Sequence, residues 1–150
     1  MAKKKQTKKP DIASQKKTQK PPIPSVSQKV IWIFDNIDAD GAFAFNPSRS
    51  DFEAQVVLGK IISYSGMTWR EIAEHTHDES KSKHHFLDYE GLSDAAKKRL
   101  EAKKIGNDKW EQIFSFALTN KLRIIGLRED EKFHVLWYDP NHEVYPVKQR

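Results

Sequence analysis

Between Ile113 and Asp139 the chain reads as three apolar segments separated by two very short polar breaks. The segments are Ile113-Phe-Ser-Phe-Ala-Leu118, Leu122-Arg-Ile-Ile-Gly-Leu-Arg128 and Lys132-Phe-His-Val-Leu-Trp-Tyr-Asp139. Each is rich in β-branched and aromatic residues, and breaks of three residues leave room only for hairpin turns, so the segment predicts an antiparallel three-stranded meander. Period-2 alternation places Phe114, Phe116 and Leu118 on one face, and Phe133, Val135 and Trp137 on one face of the third strand. Arg123 and Arg128 are an odd number of positions apart, so in an unbulged strand they face opposite sides and cannot line one pocket.

Upstream, Val30-Ile-Trp-Ile-Phe34 is a continuous apolar run, Asp38-Ala-Asp-Gly41 reads as a turn and Ala42-Phe-Ala-Phe45 alternates. Together they predict an opening hairpin. The acids from Asp35 to Asp40 resemble a calcium loop superficially, but the twelfth position, where an EF-hand needs glutamate, is Asn46. Ser50-Asp-Phe-Glu53 fits a capping box that starts a helix running to about Ser65, stopped by Gly66, with Phe52, Val56, Ile61 and Ile62 inward. Thr68-Trp-Arg-Glu71 opens a second, short helix, and a third runs from about Ser93 to Lys104 with Gly106 as its cap. The expected fold class is α+β: an antiparallel sheet of an N-terminal hairpin plus a C-terminal meander, packed by two or three helices.

With 150 residues the chain has one domain's worth of sequence. Residues 1–27 form a lysine- and proline-rich basic arm expected to be disordered, and 28–150 the folded domain. Nine lysines and one aspartate precede residue 30, so the formal net charge of +5 hides a folded part with 17 basic and 20 acidic side chains. The arm has almost no large apolar residues to offset its ordering entropy. Its Lys3, Lys4, Lys5, Lys8, Lys9, Lys16, Lys17 and Lys20 read either as a phosphate-contacting arm without sequence preference or as a solubilising leader. No apolar run approaches the roughly 18 residues of a membrane span and no secretory leader is evident, so a cytoplasmic protein with no membrane association is expected. Zero cysteines exclude disulfides and thiolate metal sites.

Four of the six histidines fall between His75 and His85. His75, His77, His84 and His85 at this spacing could ligate zinc or nickel with Asp78 or Glu79, but the H-E-x-x-H pattern is missing and interleaved lysines oppose a cation. The expectation is therefore no metal and no cofactor; His84 or His85 reads alternatively as a proton-transfer group near the terminal sheet, or as a plain surface imidazole.

The order of strands, helices and meander, with arginines in the hairpin and His142-Glu-Val-Tyr145 at the end, resembles the RelE and ParE toxin superfamily. Phe133-x-x-x-Trp137-x-Asp139-Pro140-x-His142, with Arg123-x-x-Gly126 ahead of it, looks more closely like a set of small uncharacterised bacterial proteins, often from mobile elements. That likeness covers about residues 60 to 147 and brings no activity with it. The RelE resemblance implies a toxin-antitoxin toxin, a metal-independent endoribonuclease acting on messenger RNA at the ribosome and held by an antitoxin protein. Arg123 or Arg128 would stabilise charge, and His142 or Tyr145 would transfer protons. The bland alternatives are surface strand charges, a turn hydrogen bond and sheet packing. A departure is the net acidic domain with Glu129, Asp130 and Glu131 in the hairpin expected to face RNA. The competing function is a non-enzymatic protein-interaction or nucleic-acid-binding module anchored by a sheet edge or by Trp32, Trp69, Trp110 or Trp137.

Overall fold

The meander organises everything else. In the computed structural model, which describes residues 26–75 and 83–147, its strands are β3 (Ile113–Ala117), β4 (Arg123–Glu129) and β5 (Lys132–Asp139). They are preceded by β1 (Ile31–Ile33), α1 (Ala54–Ser65), α2 (Trp69–Ala73), β2 (His85–Phe86) and α3 (Asp94–Ala102), with 3-10 turns at Tyr89–Gly91 and Asn107–Gln112. The result is an α+β domain around one five-stranded mixed sheet in the order β1-β5-β4-β3-β2. All pairings are antiparallel except β1 with β5, which is parallel.

The expected opening hairpin does not form. Both of its arms go separately to the free edge of β5: β1 runs parallel beside Lys132–His134, and Ala44 makes a single antiparallel bridge to Trp137. The backbone amide of Ile31 finds the Glu131 carbonyl at 3.0 Å, and the Trp69 indole donates to the same oxygen at 3.1 Å. An edge four strands away in sequence outcompetes the local turn because Val30 is buried in the core against it.

A second departure is a β-bulge. Ile125 pairs with Trp137 but Gly126 pairs with Val135, so Leu136 is the extra residue in β5. Strict alternation would put Phe133, Val135 and Trp137 on one face; the bulge sends Trp137 to the other and Tyr138 takes its place. A Cβ on Gly126 would collide with the His134 carbonyl oxygen, so glycine is what lets the two strands close at the bulge.

Helices cover both faces. α1 and α2 bring Val57, Tyr64, Trp69 and Ile72 onto Phe114, Phe116, Ile124 and Phe133, whereas α3 brings Ala96 and Leu100 onto Ile113, Ile125, Leu127 and Trp137. This double cover matches β3, in which all five residues are buried. The Thr68 capping box is formed in both directions, and Ser93 caps α3 through the Ala96 amide. The Ser50–Glu53 box is not: α1 starts at Ala54 without a side-chain cap, and the Glu53 amide instead donates to the Tyr138 hydroxyl, which donates to the Asp51 carbonyl. Ile62 points outward, 63% exposed. α3 ends two residues earlier than expected, with Lys104 rather than Gly106 in the left-handed turn, at φ 61°.

The Asp38 segment is a buried anchor. Asp38, 1% exposed, accepts from Arg99 Nε at 2.9 Å and Nη2 at 2.7 Å, and from the Trp137 indole at 2.9 Å. Burial by itself would raise its pKa, but the hydrogen bonds from Arg99 and Trp137 outweigh it and hold the carboxyl below the ordinary aspartate value. A carboxylate already saturated by a guanidinium has no valence left for calcium. Breaking a buried pair from one side costs about 3 kcal/mol or more, so Asp38→Ala is expected to lower the unfolding free energy read from urea denaturation by that order. Because the folded pKa is lowered, this stabilisation is complete above about pH 3.8, the unfolded value, and is lost as pH falls through the folded pKa.

Candidate functional site

Where β4 starts and the chain leaves β5, the sheet ends in an open cleft of about 730 Å³. Arg123, His142 and Tyr145 line it, joined by His85, Lys83 and Lys121, and among the described residues no carboxylate lines it. Three of the four catalytic candidates read from the sequence are therefore brought together.

Arg123 opens β4 and is aimed by the preceding turn, its Nη1 donating to the carbonyls of Thr119 at 2.8 Å and Leu122 at 3.2 Å. Burial lowers its pKa, opposed by Asp139 across the sheet, but a guanidinium stays charged at neutral pH. His142 follows the Asp139-Pro140-Asn141 turn, in which buried Asp139 accepts from the amides of Glu143 at 2.9 Å and Val144 at 2.8 Å. That turn holds His142 at φ 59°, a left-handed conformation that costs a non-glycine residue about 1 kcal/mol. Burial and the neighbouring Arg123 charge hold the His142 imidazole below its usual pKa, so it is neutral at pH 7.

Tyr145 packs on the 3-10 turn at Gly91, where an added Cβ would lie 2.6 Å from its ring. Its other neighbour is His85, with ring centroids 6.2 Å apart. His85 sits on β2, placed by pairing with Ser115 of β3, and its Nδ1 is 3.0 Å from the Phe86 carbonyl. A carbonyl only accepts, so Nδ1 carries the proton of the neutral ring and Nε2 is its lone-pair nitrogen.

Arg128 is elsewhere. Five positions along β4, it lies on the opposite face, its guanidinium carbon 3.9 Å from the Trp69 ring centroid and its Nε donating to the Asp130 carbonyl. Burial lowers its pKa to about 10, and the geometry is that of a cation-π packing contact. His134 is also apart, its Nδ1 3.3 Å from Asp35 and its Nε2 3.6 Å from Glu129. The acidic tip formed by Glu129, Asp130 and Glu131 stands at the far end of β4 from Arg123. Six residues of strand separate Arg123 from Glu129, about 20 Å, or roughly two Debye lengths at physiological salt, so those acids do not oppose an anion in the cleft. Lys3, Lys4, Lys5, Lys8, Lys9, Lys16, Lys17 and Lys20 lie outside the described residues.

The histidine-rich segment divides. His77, Asp78 and Glu79 lie outside the described residues. His84 is not a surface imidazole but is 2% exposed: its Nδ1 accepts from the Ala117 amide at 3.1 Å, and its Nε2 lies 3.2 Å from His75 Nδ1. An amide N–H only donates, so in the neutral ring Nε2 of His84 bears the proton and donates to His75. That nitrogen has no lone pair for a metal while the Ala117 bond stands. Among the described residues no three potential metal ligands gather. Trp69 and Trp137 are buried at 2% and 0% exposure and cannot anchor a partner.

The chain matches no known family model, no curated protein and no solved structure. Among the described residues no helix is long and apolar enough to cross a membrane.

Two outcomes follow from this geometry. In NMR titrations the His142 imidazole should have its midpoint below 6.5 and move upward in Arg123→Gln, as loss of the neighbouring cation stops disfavouring imidazolium. Gly91→Ala should displace Tyr145, read as changed chemical shifts for the Tyr145 and His85 rings with the sheet amides unmoved.

Proposed function

We propose that this protein is a metal-independent endoribonuclease of RelE-like fold, cutting single-stranded RNA by attack of a ribose 2′-hydroxyl on the adjacent phosphate. The observation that carries this reading is the convergence of Arg123, His142 and Tyr145 in one cleft that Lys83 and Lys121 also line. A cleft lined by an arginine and two lysines suits a phosphodiester. Arg123 stabilises the extra charge of the phosphorane, which preorganised cations do most effectively in a partly desolvated site. His142, kept neutral, takes the 2′-hydroxyl proton. The Tyr145 hydroxyl, on a ring packed against Gly91, is a hydrogen-bond donor to the phosphate. Arg128, stacked on Trp69 on the opposite face, has no part in this chemistry.

A toxin role follows the same reading: messenger RNA at the ribosome as substrate, an antitoxin protein as partner, a cytoplasmic setting and the lysine-rich arm adding sequence-independent phosphate affinity. The alternative is a non-enzymatic protein-interaction module, favoured by a specific feature. Leu58 and Ile62 on α1 are 60% and 63% exposed one turn apart, and Ile31 and Phe34 at the β1 edge are 47% exposed each.

Purified protein incubated with single-stranded RNA in excess chelator should release fragments with 2′,3′-cyclic phosphate and 5′-hydroxyl ends. Arg123→Ala should slow this by roughly 100-fold, the usual loss for one charge-stabilising donor. Intact RNA with folded protein at high concentration would shift the assignment to the interaction module.

A further inference from the structure

In-line attack at phosphorus needs two proton transfers, one from the 2′-hydroxyl and one to the departing 5′-oxygen, and Arg123 and His142 together provide only the first. Among the described residues that line the cleft, the remaining imidazole is that of His85. Resting on the ribonuclease reading, we propose that His85 is the general acid of the reaction, protonating the 5′-oxygen of the leaving nucleotide through its Nε2.

Three observations support the assignment. The Nδ1–H of His85 is held by the Phe86 carbonyl at 3.0 Å, which orients the ring and leaves Nε2 as the nitrogen available to a substrate. Second, the two imidazoles of the cleft sit in unlike surroundings. His142 is half-buried beside the Arg123 guanidinium, which opposes a second positive charge, whereas His85 is solvent-exposed on β2. The half-buried ring is therefore the one beside the phosphorane-stabilising Arg123, and the exposed ring is the one open to the solvent into which the leaving nucleotide departs. Third, the place of His85 is set by the sheet, where β2 pairs with β3 through Ser115 and Phe114, and the Tyr145 ring of the same cleft meets it edge to face at 65°.

The step balances. The 2′-oxygen forms its bond to phosphorus as the P–O5′ bond breaks; the 2′-hydroxyl proton goes to His142, and the Nε2 proton of His85 goes to O5′. The products are a 2′,3′-cyclic phosphate and a 5′-hydroxyl, and solvent exchange in the open cleft returns both imidazoles to their starting states.

The test uses the full chain and two RNA oligonucleotides, one natural and one with a bridging sulfur in place of the scissile 5′-oxygen. A thiolate leaves without protonation, so a variant lacking only the acid recovers on the sulfur substrate. His85→Ala should lose about 100-fold or more on natural RNA and regain nearly the wild-type rate on the thio substrate, whereas His142→Ala should be slow on both. The recovery itself shows that the variant is folded. A His85→Ala enzyme as fast as wild type on natural RNA, or equally impaired on both substrates, overturns the assignment, and rescue of Tyr145→Phe instead would give the role to Tyr145. A wild-type protein that cleaves neither substrate would remove the ribonuclease reading, whereas wild-type cleavage without His85 rescue removes the acid assignment alone.

Discussion

The bulge at Leu136 is the constraint on which the rest of the domain depends. One extra residue in β5 turns Trp137 to the α3 side, where its indole reaches the Asp38 carboxylate that Arg99 of α3 also holds. A single buried acid thereby joins the β1–α1 connection, the central sheet and α3. The same displacement returns Tyr138 to the α1 side, where its hydroxyl receives the Glu53 amide and supplies the start that α1 lacks. Gly126 makes this possible, because any side chain there would meet the backbone of β5. Both helical layers are thus registered on the sheet by two consecutive aromatic residues facing opposite ways.

The cleft is a consequence of this frame. β5 ends at Asp139, whose carboxylate, buried and with its pKa raised by that burial against two amide hydrogen bonds, forms the turn that places His142. β4 begins opposite it at Arg123, and the short β2 brings His85 along the far edge. The side chains come from three regions of the chain, but each stands at an element boundary set by strand register. Local charge matters more than the net acidity of the domain: the acidic hairpin tip and the cationic cleft occupy opposite ends of the same strand.

Much of this was legible in the residues. Three β-rich segments with short breaks could only be a meander, Thr68–Glu71 and Ser93 announced their helices through their own side chains, and parity alone separated Arg123 from Arg128. What was not legible is what depends on distant partners. The parallel seat of β1 on β5 has no local signal, and the apolar run Val30–Phe34 suits a hairpin equally well. The alternation of Phe133, Val135 and Trp137 gives no sign of the bulge, and only the opposing strand shows where the extra residue falls. The clustered histidines looked like a unit, yet strand parity divides His84 into the core and His85 into the cleft, and a two-residue strand is too short to announce itself by periodicity.

The central claim is that the cleft at Arg123 and His142 receives an RNA phosphodiester. It is tested most directly by following histidine ring nitrogen resonances while titrating the protein with a short RNA carrying a 2′-deoxy substitution at each scissile position, which binds but cannot react. The account predicts shifts at His85 and His142, with the Arg123 Nε signal, and none at buried His84 or at His134 beside Asp35. Perturbation centred on His134, or no change at any ring at saturating RNA, would contradict it.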